Sequence, residues 1–217
     1  MRSRFDEQLS LLHHEMIEMG ALCEEVIAMA ASALTAGDTA LAARVAPRGR
    51  EIDRMEKDIE SLCLRLLLQQ QPVARDLRQI SAALKMITDL ERIGDQAEDI
   101  AEIVGFLGGR TAAEHAHLKE MASAAIGMVT DSVDAYVRQD TALAEAVIRA
   151  DDTVDAGFDR AKKLLIEWIA ENPAEGEYAL DLLMIAKYLE RIGDHATNLA
   201  EWVIYSVTGI HKEAEET

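Results

Sequence analysis

The sequence predicts an all-α fold made of two tandem, structurally similar three-helix bundles with six long helices, and three observations carry that prediction. Apolar residues recur at three- and four-residue spacing over long stretches, the period of one helix face. The composition is poor in breakers and aromatics, with three prolines and 4% Phe, Trp and Tyr in 217 residues, and rich in strong helix formers such as Ala, Leu and Glu. Two motifs occur twice: DTALA at Asp38 and again at Asp140, and LERIGD at Leu90 and again at Leu189. Two copies of one helical unit explain both repeats.

Taken in order, the first helix is expected from about Arg4 to Ala36, with Leu9, Leu12, Met16, Met19, Leu22, Cys23, Val26, Ala30 and Ala33 along one face. Gly37 supplies a C-terminal stop and Asp38 an N-cap for the next helix. That second helix turns Ile52, Met55, Ile59, Leu62 and Leu66 inward. Pro47 and Gly49 predict a kink or short break in its first third, and Gln71-Pro72 closes it. A third helix starts near Ala74, holds Leu77, Ile80, Leu84, Ile87, Leu90, Gly94, Ala97 and Ala101, and fades at Gly105 to Gly109. This fading marks the boundary between units 1–109 and 110–217.

The pattern then restarts. A fourth helix is expected from Glu114 to Gln139, with Leu118, Met121, Ala125, Met128, Val129 and Val133 at helical spacing. Asp140 caps a fifth helix that ends at Glu171, before Asn172-Pro173. A sixth runs from about Glu177 to Val207. The tail from His211 is polar and expected to fray.

The formal net charge of −18 argues against nucleic acid and anionic lipid as partners and favours cations or basic protein patches. Cys23 and Cys63 lack CxxC spacing and sit in apolar helical patterns, as buried reduced thiols do. The N-terminal stretch has no signal-peptide core. The longest apolar run, Val26 to Leu34, is short for a bilayer span. A cytoplasmic protein without direct membrane insertion is expected.

Chemistry concentrates in the repeated LERIGD helices. Glu91, Asp95 and Asp99 are spaced i, i+4, i+8, and Glu190, Asp194 and Asn198 repeat that spacing. Carboxylates stacked this way repel by a few tenths of a kcal/mol per pair, so a stripe of them is expected to meet cations. Helix five adds Asp151 and Asp155, again four apart. Two such pairs on adjacent helices converge as four carboxylates. An oxygen-rich set of this kind takes a divalent or trivalent metal ion, and it suits magnesium, calcium, manganese or oxidised iron better than zinc.

The first unit offers Asp53, Glu91, Asp95 and Asp99, but Gly49 stands opposite Asp151, so its site is expected to be the weaker. His195 lies about 100° round the helix from Asp194 and is expected to be structural. Gly94 and Gly193 each cost about 1 kcal/mol in a helix interior, which close helix approach or open space beside the acids would offset. The plainer reading of the acids is a solvated face paired with Arg92, Arg191, Lys85 and Lys187, and duplication at matched places argues against it. There is no glycine-rich phosphate loop. Four-helix di-iron enzymes use Glu-x-x-His pairs; Glu15, Glu114 and Glu190 are read as lacking that pairing, which disfavours the class.

The LERIGDxAxxxAE stretch on the third helix of each unit, preceded in the first by QQQPVARDLRQISAALKMITD, closely resembles the PhoU family of bacterial phosphate-transport regulators, over essentially the whole chain. The resemblance implies two tandem three-helix bundles and no enzymatic activity. It implies metal clusters (magnesium, manganese, iron or zinc) on paired (E/D)xxxD motifs, here Asp151, Asp155, Glu190 and Asp194, and Asp53, Glu91 and Asp95; Gly49 departs from the pattern. It further implies negative regulation of phosphate uptake, with the transporter's cytoplasmic ATPase and a membrane sensor histidine kinase as partners. A homodimer, peripheral at the inner membrane through those partners, is the expected assembly. The reading set against it is a carboxylate-type metal-binding or metal-storage helical protein with no phosphate-signalling role.

Overall fold

The computed structural model describes residues 2–70, 72–111 and 117–210. Among them there is no strand. Seven α-helices run in chain order: α1 Arg2–Ala36, α2 Thr39–Ala42, α3 Val45–Gln70, α4 Ala74–Phe106, α5 Leu118–Arg138, α6 Thr141–Glu171 and α7 Gly176–Thr208. A 3₁₀ turn, Pro173–Glu175, leads into α7. The fold class is the predicted one, with six long helices and the one-turn α2.

Local chemistry sets the ends. Gly37 has φ +66°, the left-handed region that a side chain rarely enters. Asp38 caps α2 by accepting from the Leu41 N–H, and Asp140 caps α6 by accepting from the Ala142 and Leu143 N–H groups. The break in the second helix falls at Ala43 and Arg44, upstream of the predicted place. Pro47 is the third residue of α3, where a backbone N–H has no intrahelical acceptor to lose. Proline there is tolerated in a helix start rather than kinking a helix interior, and Gly49 continues the same helix. The fourth long helix begins at Leu118; Glu114, expected as its start, lies outside the described residues, as does the tail from His211.

Helices α1, α3 and α4 form the first bundle, and α5, α6 and α7 the second. The bundles meet through α1 against α5 and α4 against α7. Both contacts are antiparallel: Arg78 near the start of α4 donates to Ser206 O near the end of α7, and His13 of α1 meets Tyr136 of α5 edge to face. The Tyr136 hydroxyl donates to Gln79 O of α4. One apolar core runs through both bundles, including Leu12, Met16, Ile59, Met86, Val129, Ile185 and Leu189. Leu77, expected inward, is exposed, and α4 buries Gln79 beside the expected Ile80. The two thiols are free and buried. Cys23 donates to Leu90 O, and burial pushes the Cys63 thiol up to about 12.

The apolar run from Val26 to Leu34 lies within a longer helix. Phe5–Ala36 is one continuous helix, long and apolar enough by length and composition to cross a membrane. In the fold its apolar face is spent against α3, α4 and α5, the ordinary situation of a core helix.

Candidate metal centre

Each bundle carries its acids on the seam between its second and third long helices. In the first seam, Asp53 of α3 and Glu91 and Asp95 of α4 offer carboxylate oxygens that all lie within 4.8 Å of one another. Oxygens sharing one hard ion at bond lengths of roughly 2.0–2.5 Å stand roughly 3–5 Å apart, so these three fit one cation. Arg92 stands at the rim, its Nε 3.6 Å from Glu91 Oε2 and its Nη1 3.4 Å from Asp95 Oδ2. Burial, and then the charge of Asp95, hold the Glu91 carboxyl above its usual range despite Arg92.

Close approach of the helices makes the seam. A Cβ at Gly94 would stand 2.9 Å from Ile52 Cδ1, and Ile52 is fully packed. Gly94 therefore lets α3 and α4 come together, and Ile52 puts Asp53 beside the α4 acids.

The second seam is built alike but filled differently. Asp151 and Asp155 of α6 face Asp194 of α7 closely enough for both charges to act on Asp151. Burial first, then Asp155 and Asp194, push the Asp151 carboxyl up to about 6, with the neighbouring Thr197 hydroxyl opposing. Asp151 Oδ1 is buried without a hydrogen-bond partner. A Cβ at Gly193 would stand 2.9 Å from that same oxygen, so Gly193 makes room for the acid itself. Glu190, also on this seam by sequence, is paired with Lys187.

The third acids of the two stripes go elsewhere. A step of four residues turns a helix by about 40° beyond a full circle, so i+8 has turned by about 80°. That rotation carries Asn198 onto α4, where its Nδ2 donates to Asp89 Oδ1 at 3.2 Å. His195 Nδ1 lies 2.9 Å from the same oxygen, so His195 is part of the contact between bundles, as its angle implied. Asp99 turns in the same sense, toward Arg191 of α7, which favours its charged form against burial, Asp95 and Glu102. Neither Asn198 nor Asp99 belongs to the clustered oxygens.

Two residues escaped the sequence reading. Asp89, the acceptor for His195 and Asn198, stands just before the motif with no repeat to mark it, because Tyr188 holds its place in the second copy. Glu98 stands seven residues after Glu91, within about 20° of its direction on the helix. Its carboxyl lies over Gly49: a Cβ there would be 1.7 Å from Glu98 Oε1. One Glu-x-x-His pair does occur in the chain, Glu114 and His117. Glu114 lies outside the described residues, and His117 precedes α5 with Glu120 3.7 Å away at the surface.

The residues present fit a hard cation in their donor set, in the spacing of the first seam and in the orphaned Asp151 oxygen of the second. Fold and seams together define a tandem helical-bundle protein with a carboxylate groove in each repeat. The PhoU domain family matches residues 16–104 and again 118–203, and the chain belongs to the PhoU family. It is 38% identical over 212 residues to a phosphate-specific transport system accessory protein PhoU homolog of Clostridium acetobutylicum, covering 96% of each chain. The crystal structure of PhoU from Pseudomonas aeruginosa superposes with a TM-score of 0.89 at 35% identity, over 95% of this chain and 100% of that one. The phosphate transport system regulatory protein PhoU from Streptococcus pneumoniae gives 0.86 at 27%, over 95% and 98%.

Proposed function

We propose that this chain is a non-enzymatic accessory regulator of a phosphate-specific transport system, an adaptor between the transporter's cytoplasmic ATPase and a sensor histidine kinase. The observation that carries the reading is the doubled family match, one copy per bundle, on a chain that relatives named as phosphate-transport accessory proteins match almost end to end. In this reading the units 1–109 and 110–217 each carry one seam, and the protein works as a homodimer that reaches the membrane through its partners. The test is a clean deletion in phosphate-rich medium. Phosphate-starvation genes should be derepressed; normal repression would overturn the signalling role.

The seams are read as metal sites, with Asp53, Glu91 and Asp95 holding one ion and Asp151, Asp155, Glu190 and Asp194 another. A bound divalent or trivalent ion supplies positive charge and oxygen coordination that relieve the repulsion among these acids. The protein's own contribution is to hold the carboxylates on two rigid helices, with glycines at positions 94 and 193 setting the gap. Of the two, the first seam has the tighter oxygen cluster, which supports ranking it first, the reverse of the order expected from Gly49.

A further inference from the structure

In the second unit Asp151 of α6 fills the space between the helices, and Thr197 of α7 stands nearby. In the first unit the matching residues are Gly49 and Glu98. Each pair has one acid and one non-acid, with the acid on opposite helices. The geometry makes this an exchange rather than a loss. A Cβ at residue 49 would stand 1.7 Å from Glu98 Oε1, 2.6 Å from its Cδ and 3.0 Å from its Cγ. Those are bonded or near-bonded distances, so the Glu98 carboxyl lies where a side chain at 49 would begin.

Resting on the reading of the seams as metal sites, we propose that Glu98 is the fourth carboxylate of the first seam and replaces the acid that Gly49 lacks. Both units then hold four carboxylates, with the fourth supplied by the second long helix in one and by the third in the other. Three features agree. Glu98 follows Asp95 by three residues and Glu91 by seven, so all three share one stripe of α4. Asp53 and Asp95 are the acids whose charges act most strongly on it, ahead of the opposing Arg50. Gly49 leaves open the space that the longer Glu side chain needs to reach across the seam.

The experiment uses the full chain carrying D155N/D194N, so that only the first seam answers, and compares E98Q, G49D and G49D/E98T. Mn²⁺ affinity is measured by calorimetry, and melting is measured in EDTA. E98Q should weaken Mn²⁺ binding at least tenfold without lowering the melting temperature in EDTA. G49D should melt lower than its parent, because two side chains contend for one space. G49D/E98T, which copies the second unit's arrangement, should recover both stability and most of the affinity. Unchanged Mn²⁺ binding in E98Q would overturn Glu98 as a ligand while leaving the metal reading in place. A parent that binds no Mn²⁺ would overturn both. If G49D melts like its parent, or E98T fails to rescue it, the shared space itself is refuted.

Discussion

The two seams began as one design and now differ in which side chains do the work. In the first, three carboxylates draw together within 4.8 Å and Arg92 stands at their rim. In the second, Glu190 is paired with Lys187, and Asp151 keeps an oxygen buried and unpartnered. The glycine in LERIGD has diverged too: Gly94 admits an isoleucine from the facing helix, and Gly193 admits a carboxylate. A repeat in sequence therefore preserves the groove and its charge more faithfully than it preserves the helix on which each acid sits.

The largest expected effect tests which seam responds to metal. Saturating Mn²⁺ at a hundred times the dissociation constant stabilises a folded protein by about 2.7 kcal/mol, roughly 5–10 °C for a chain of this size. D53N/D95N should remove more of that gain than D155N/D194N in a melting titration. If D155N/D194N removes more, the second seam is the stronger and Gly49 weakens the first. If no divalent ion raises the parent's melting temperature, both seams are solvated or protein-docking faces.

A middle-sized effect separates the two glycines. G94A presses a methyl against packed Ile52 and should lose about 1 kcal/mol net, since overpacking outweighs the gain in helix propensity. G193A presses on a carboxylate oxygen at the end of a side chain that can shift, so melting in EDTA should hold steady or rise. Equal losses in the two variants would mean that both glycines serve backbone approach.

The smallest effect is a pH dependence at Asp151. Its folded-state pKa is about 6, above the ordinary value near 3.9. The folded state thus binds this proton more tightly than the unfolded chain, and the ionised group is a cost above pH 6 that fades as pH falls toward 4. D151N should therefore melt higher than the parent in EDTA at pH 7.5, by roughly half a kcal/mol after allowing for solvent screening, and the gap should close by pH 4. A gap that persists at pH 4 would trace to packing instead.

The helices and their duplication were legible because periodicity and caps are local: Gly37, Asp38 and Asp140 act within one turn of themselves. The grooves were legible because glycines and acids recur together. What escaped depends on rotation and on partners. Extending the stripe to Asp99 and Asn198 treated four residues as a full turn, and the accumulated angle sent both toward the other bundle. Glu98 was hidden because its counterpart is Thr197, so repeat matching found no acid there. The break at Ala43 and Arg44 had no marker of its own, and Pro47 drew attention to the wrong place.

The Asp89 contact also governs which surfaces choose one another. Helices α4 and α7 meet as near-equivalents, as two copies of one surface do across a dyad. Such a surface would also accept its own kind, so the first bundles of two chains could pair. In the native pairing Asp89 receives His195 and Asn198. If the first bundle paired with another first bundle, the 99-residue offset would set Asp89 against Gln96 and Asp99, an acid facing an acid. The histidine and asparagine thus give the interface a direction, favouring a first bundle against a second over a first bundle against its own kind.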